Sequence, residues 1–300
     1  MKEQMVNDNE FSLLRLVPTV LRARDFRLYT KNGQRLVDLW QNGGAAILGH
    51  TPPSMLRELK NTASRGLYAP FPHFLEARYF KALSRIFPGR NFRLYAAPPP
   101  ELAALANGDY SEKNSHRGSA FLRKAKAQRT QKNEWGFWRP FLDPAAPLAV
   151  PEDAPPVLIP VIPGIQGWRG GLPVGVCVIA ITPDFDSTAL PPGDFLPPVV
   201  LAAAARGLHD LIAAAPERGN PVYPRITKVL KASQSGANRW QRQGVYLTLR
   251  QTVPTEEWSS LFNQFLTNGF LLPPIQSQPV ILPGVLSPGE EAKLAGLLAE

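Results

Sequence analysis

Cysteine, histidine and long apolar runs are all scarce in this 300-residue chain. A single cysteine, Cys177, excludes an intrachain disulfide framework and any cysteine-rich zinc site. The 4 histidines are scattered, with no H-E-x-x-H and no paired Cys/His spacing, so no metal site is expected. Neither G-x-x-x-x-G-K-[ST] nor G-x-G-x-x-G is present, which removes the two commonest phosphate cradles. No G-x-S-x-G elbow marks a nucleophilic serine. No stretch of about 18 consecutive apolar residues suggests a membrane span. The polar start "MKEQMVNDNEF" lacks the apolar core of a signal peptide. A cytoplasmic protein with no membrane contact is the expectation.

Two residue classes are abundant instead. Hydrophobic residues make up 44% of the chain, enough to bury a core, and the 32 prolines favour short helices and extended connections. The net charge of +9 admits an acidic partner such as RNA or an anionic ligand, although an ordinary basic protein has the same balance.

Along the chain the pattern is mixed α/β without internal repeats. Asn32-Gly33 between "FRLYT" and "RLVDLW" predicts a hairpin with a type I′ turn. Ser54 is the expected N-cap of a helix through "MLRELKNTAS", and "HFLEARYFKALSRIF" predicts a second helix over 73–87. "NFRLYAA" reads as a buried strand, followed by a proline-initiated helix in "PPPELAALAN". "PVLIPVIP" and "LPVGVCVIAI" read as strands flanking the glycine-rich "PGIQGWRGGLPVG". Residues 197–216 give a proline-bracketed helix, "QGVYLTLRQT" a strand, and "TEEWSSLFNQFLTNG" a helix capped by Thr255. "FLLPP" is a short extended piece, and "SPGEEAKLAGLLAE" closes the chain as a helix.

Several of these segments together resemble the class III aminotransferases, a fold-type-I family that uses pyridoxal phosphate. "DFRLYTKNGQRLVDLWQNGGAAILGH" is similar to the family's N-terminal pattern, with Gly33, Asp38, Gly43 or Gly44, Leu48, Gly49 and His50 in place. "GGLPVGV" resembles the "G-G-G-L-P-[IV]-G-A" that follows the cofactor lysine, and "LPPVVLAAAARGLHDLIAAAP" the helix after "G-G-N-P". The C-terminal "GFLLPPIQSQPVILPGVLSPGEEAKLAGLLAE" looks most like the glutamate-1-semialdehyde 2,1-aminomutase branch. The resemblance implies a reduced fold-type-I architecture, a truncated large α/β domain plus an α+β small domain. It also implies a dimer.

The departures from that pattern concern the chemistry. Counting back from Gly171-Leu172-Pro173, the Schiff-base lysine position falls on Gln166, whose amide cannot form an imine. In a second alignment, Gly167-Trp168-Arg169 matches the family's "G-F-R". The aspartate that pairs with the pyridine nitrogen then falls on Ile162, and the lysine is deleted. The phosphate-binding "F-V-N-S-G-T-E-A" is replaced by "LYAAPPPELAAL". Ala96 and Ala97 have no hydroxyl there, and Pro98, Pro99 and Pro100 have no N–H to donate. "ALPPGDFLPP" stands for the family's "T-F-G-G-N-P".

These readings divide the chain into three parts. Residues 1–90 are the N-terminal part of the small domain and the start of the large one. Residues 91–215 are a large-domain remnant with a basic insert at 111–140 and a Pro-rich linker at 143–156. Residues 216–300 are the C-terminal small domain. The function expected is that of an aminotransferase-like protein without pyridoxal-phosphate catalysis, in a structural or regulatory role, with no cofactor, no catalytic residue and no metal. One alternative is an active aminotransferase or aminomutase holding pyridoxal phosphate, with Lys228 or Lys231 supplying the amine. Another is a nucleic-acid or anion binder in which Trp135, Phe137 and Trp138 stack bases beside Lys132 and Arg139. His50 reads as a structural hydrogen-bonding residue, and His116 as a solvated loop residue or a faint match to a ring-stacking histidine.

Overall fold

A computed structural model describes residues 12–104, 135–169, 171–218, 222–232 and 238–300. Its central sheet runs in the order β4 (Asn91–Tyr95), β9 (Cys177–Ile181), β6 (Val157–Pro160), β5 (Trp135–Trp138). β5 and β6 are parallel, whereas β9 is antiparallel to both of its neighbours. Every residue of β6 and β9 is buried, so both strands read as continuous apolar runs.

The strand period of two separates the faces. Leu94, Leu158, Val178 and Ala180 join one core with Leu75, Tyr79 and Leu83 of α2 (Phe74–Leu83) and the apolar stripe of α4 (Pro198–Arg218). Tyr95, Val157, Ile159, Cys177, Ile179 and Ile181 pack on the opposite face with Leu102 and Leu190. α1 (Pro53–Ala63) and α2 both pack on α4, where small alanines permit close approach. By length and hydropathy α4 could cross a membrane, which the absence of a long apolar run had hidden, but its apolar stripe is this core. Gly207 brings α4 onto the loop after β6, where a Cβ would lie 2.3 Å from the Pro163 carbonyl oxygen.

The two ends of the chain build a second core together. β1 (Val20–Arg24), β2 (Arg27–Thr30), β3 (Arg35–Asp38) and β12 (Phe270–Leu271) form one sheet in that order, with β12 parallel to β3. β10 (Trp240–Gln243), β11 (Tyr246–Leu249) and β13 (Val280–Ile281) form another. Leu36, Val37, Trp240, Leu247, Phe262, Phe265, Phe270 and Leu294 share one apolar cluster. It is covered by α5 (Pro224–Ala232), α6 (Thr255–Thr267) and α7 (Pro288–Ala299).

Several local expectations are corrected. The hairpin at Asn32-Gly33 forms, but with a three-residue loop: Thr30 N–H bonds to Gln34 O, and only Gly33 has positive φ, at 81°. That is a type I turn closed by a glycine bulge, not type I′. Pro52 and Pro254 replace Ser54 and Thr255 as N-caps, because each extended proline lets the next residue open the helix. Ser54 instead donates to Asp210 of α4. The second helix ends at Leu83, short of residue 87, and "LPVGVCVIAI" splits at Gly175 (φ 88°) into β8 (Leu172–Val174) and β9. β8 pairs with β7 (Gly167–Arg169). The helix expected in "PPPELAALAN" is described as the short α3 (Glu101–Ala104), its remainder lying outside the described residues. Within the basic insert, 111–134 also lies outside them, but 135–138 is β5. β10 was not foreseen, being a polar strand joined to β11 by a two-residue Gly244-Val245 turn.

One ion-pair cluster ties the chain ends together. Arg27 forks onto Glu290 at 2.9 and 2.6 Å, Arg35 reaches the same carboxylate at 3.3 Å, and Ser287 N–H donates at 2.8 Å. Burial alone would raise the Glu290 carboxyl; the Arg27 fork and Ser287 outweigh it and hold it down at about 2. A folded pKa below the ordinary value of 4.5 means stability present above that pH and lost as pH falls toward about 2. Glu290→Gln is expected to cost about 1–2 kcal/mol at pH 7 and to flatten that acid limb, measured by urea unfolding from pH 7 down to pH 3.

Candidate functional site

Parallel β5 and β6 end together, with Trp138 opposite Pro160 and Val161 N–H bonded to Trp138 O at 2.8 Å. Beyond that edge lie Arg139 and the loop 161–166. The carboxyl edge of such strands is where α/β sheets place ligands. A 3-10 turn, Asn42–Gly44, covers it.

The turn is an unusual piece of backbone. Gln41, Asn42, Gly43 and Gly44 all have positive φ, at 50°, 49°, 66° and 112°. For the two residues with side chains this is a strained region, which persists only where neighbours hold it. They are held. Asp38 Oδ1 accepts the Gln41 N–H at 2.8 Å, Gln41 Nε2 donates to Ile281 O at 3.0 Å, and Asn42 Nδ2 donates to the Gln166 carbonyl. His50 Nε2 lies 2.8 Å from the other Asp38 oxygen, in the structural role expected of it.

The glycines allow three elements to meet. A Cβ on Gly43 would lie 2.2 Å from the Trp168 indole, and one on Gly44 2.8 Å from Val161 and 3.4 Å from Arg139 Nη1. "QNGGAAILGH" and "PGIQGWR", more than a hundred residues apart, thus form one packed unit.

Its polar groups are buried and incompletely satisfied. Arg139 is 5% exposed, donates from Nη1 to Gly43 O at 2.8 Å, and lies 5.5, 5.7 and 5.9 Å from the rings of Phe137, Trp168 and Tyr246. Among the described residues no carboxylate pairs with it, and burial pushes its pKa down to about 10. Gln166 is 6% exposed. Its Nε2, Trp168 Nε1 and Arg139 Nε have no hydrogen-bond partner in the described structure.

The remaining expected positions fall elsewhere. Ile162 is 1% exposed within the apolar core against α2 and α4, a place hostile to a carboxylate. Ala96 and Ala97 are exposed, Pro98 half-buried and Pro99 buried at the end of β4. The Ala96 N–H donates to Asp194 Oδ2 at 2.8 Å, so a carboxylate of "ALPPGDFLPP" takes the donor a phosphate would want. That segment runs along β4, with Asp194 N–H bonded to Leu94 O at 2.7 Å and Tyr95 OH to Pro191 O at 2.7 Å. All described lysines are exposed, Lys228 and Lys231 among them on α5.

Sequence reasoning therefore brought Gln166 to the site and missed Asn42 and Asp194. It named Arg139, but as a cation beside a base-stacking surface, whereas the structure buries it beneath the Asn42–Gly44 turn. Trp138 is 1% exposed and Arg139 is buried, which withdraws both from any base-stacking surface.

Pyridoxal phosphate needs an amine, an acid for its ring nitrogen and N–H or hydroxyl donors for its phosphate. At the positions the resemblance assigns, the described residues present an amide, an apolar core side chain, and a proline run beside a carboxylate. These residues do not fit the group.

No protein-family model matches the chain. It is 27% identical over 296 residues to an uncharacterized protein of Treponema pallidum, covering 90% of this chain and 91% of that one. A shorter match, 35% over 78 residues, is to an uncharacterized protein of Borreliella burgdorferi and covers 26% and 29% of the two chains. Among solved structures, an omega-transaminase from Sphaerobacter thermophilus is similar with a TM-score of 0.60 at 12% identity, over 97% of this chain and 95% of that one. The Plasmodium falciparum ornithine delta-aminotransferase gives 0.58 at 12% identity, over 94% and 92%. The chain has an aminotransferase-like α/β fold.

Proposed function

We propose that this protein is an aminotransferase-fold chain without pyridoxal-phosphate catalysis, acting in a structural or regulatory role as a cytoplasmic homodimer. The resemblance of its C-terminal segment supports an origin nearest the glutamate-1-semialdehyde aminomutase branch. One observation carries the reading. Gln166 is buried under the Asn42–Gly44 turn beside Trp168, while every described lysine is exposed. An amide there offers neither the covalent anchor nor the proton relay that an amine supplies. Tyr68 and Phe71 in the loop between α1 and α2, with Phe74 at the start of α2, are 63%, 56% and 64% exposed and support self-association through that surface.

Absorption spectroscopy of the purified chain with added pyridoxal phosphate tests it. No visible aldimine band that borohydride can trap is expected, and Gln166→Lys alone is expected to restore none, because the phosphate and ring-nitrogen contacts are absent as well. A trapped adduct in the unaltered protein, lost in Lys228→Ala, would instead establish the active enzyme. Sedimentation of the same sample is expected to show a dimer that Phe71→Ser weakens; a monomer at all concentrations removes that part.

A further inference from the structure

One exposed stripe of α2 is aromatic at its head and cationic along its length. At 3.6 residues per turn, Phe74, Arg78, Lys81 and Arg85 fall on one side of the helix, and all four are exposed. Arg85 lies just past Leu83, but the helical bonds continue there. Ser84 N–H bonds to Phe80 O and Phe87 N–H to Leu83 O, both at 2.9 Å, so Arg85 stays in line. Glu76 stands on the other flank, about 160° around the axis from Arg78. We propose that this stripe binds single-stranded nucleic acid, with its cations on the phosphates and Phe74 against a base.

Three observations support this. First, the cations are not spent on the fold. The side chains of Arg78, Lys81 and Arg85 make no hydrogen bond or ion pair among the described residues. Asp210 of α4 is already engaged, accepting from Arg206 Nε at 2.9 Å, from its Nη2 at 2.6 Å and from the Ser54 hydroxyl, so it has little left to offer α2. Second, the positive field extends onto α4. Burial first, then Arg85, Arg78 and Arg206, hold the His209 imidazole below its ordinary value of 6.5, with Asp210 opposing. Third, the geometry suits a strand. Arg78 to Arg85 spans about 10 Å of helix, on the order of three nucleotides of a helical strand. Arginine forks match phosphate oxygens. Phe74 is 64% exposed, with the His73 ring 4.4 Å away, and offers a face for stacking. An acidic peptide or a lipid headgroup has charge for the cations but no base for that ring, and a duplex keeps its bases stacked inside. Phe74 also borders the Tyr68–Phe71 surface offered to self-association, but the cations run along α2 away from that loop.

Fluorescence anisotropy of the full chain with a labelled oligothymidylate tests the proposal. Saturable binding is expected, with log affinity falling against log salt at a slope of about −2, as for three neutralised phosphates. Arg78→Gln/Arg85→Gln, two exposed changes, is expected to weaken binding about tenfold and to flatten the slope to about −0.7. Phe74→Ala is expected to cost about fivefold or more. Lys293→Gln, the same type of change on α7, should bind unchanged. Phe71→Ser should leave the affinity per chain unchanged even where it weakens the dimer, so the two surfaces are read apart. Oligothymidylate is also expected to raise the His209 pKa, followed by NMR, because a phosphate there offsets Arg85 and Arg78. If the double variant fails to fold by circular dichroism, Arg78→Gln alone gives the reading, with a loss of about threefold. No saturable binding, an affinity independent of salt, or an affinity unaltered in the stripe variants would each overturn the proposal. So would a duplex, polyglutamate or phosphatidylserine vesicles bound as tightly as oligothymidylate.

Discussion

Gly43→Ala is expected to destabilise the protein by about 3–5 kcal/mol, the sum of two independent penalties. The added Cβ would lie 2.2 Å from Cε2 and 2.3 Å from Cδ2 of Trp168, distances no real contact tolerates. Neither the five-membered nor the six-membered ring can yield locally, since Trp168 is 8% exposed and sits between Phe137 and Arg139. The second penalty is conformational: φ at Gly43 is 66°, within a run whose neighbours Gln41 and Asn42 already carry left-handed strain. Urea unfolding measures the sum, and the double variant Gly43→Ala/Trp168→Ala separates the parts. Removal of the ring should recover the steric part of the loss and leave the backbone part, giving a coupling energy above about 1 kcal/mol. Full additivity of the two changes would show that the turn and the indole do not press on each other.

Arg139 gives the second large effect, and its size depends on what replaces it. Arg139→Ala leaves a void between Phe137, Trp168 and Tyr246 and removes a hydrogen bond to Gly43, an expected loss of about 3–4 kcal/mol. Arg139→Met keeps most of the bulk but removes the charge. Burial holds the guanidinium at about 10, below its ordinary value, so the charged form is the one the fold disfavours. Methionine is therefore expected to fall within about 1 kcal/mol of the unaltered protein. Thermal and urea unfolding of the two variants side by side decide the matter. If methionine costs as much as alanine, the bond to Gly43 O and the cation–ring contacts outweigh the desolvation penalty. Arg139 would then be an electrostatic clamp on the turn more than a space-filling one.

Both variants act at a contact that no local sequence pattern announces. The hairpin between β2 and β3 was legible because Asn32-Gly33 is a local device, although the loop is one residue longer than the type I′ form. The buried strands β6 and β9 were legible because four or five consecutive apolar residues between prolines and glycines leave little other choice. β10 was not: "WQRQ" has a polar composition, and only its pairing with β11 makes it a strand. β5 was hidden for a related reason, since "WGFW" looked like the tail of a basic insert until β6 supplied its ladder.

The candidate site divides along the same line. The sequence alone shows that one cysteine excludes an intrachain disulfide, and by its family resemblance it carries the expectations that Gln166 stands at a lysine position and that prolines replace phosphate donors after Tyr95. These readings rest on residue type, and chemistry depends on type before it depends on place. Tertiary structure decided the rest. It put the Ala96 N–H on Asp194, drew Arg139 beneath the Asn42–Gly44 turn without an acid, and gathered Arg78, Arg85 and Arg206 around His209. Burial and proximity between residues far apart in the chain arise only when helices and sheets pack, and they set the charge, strain and solvation on which any ligand would act.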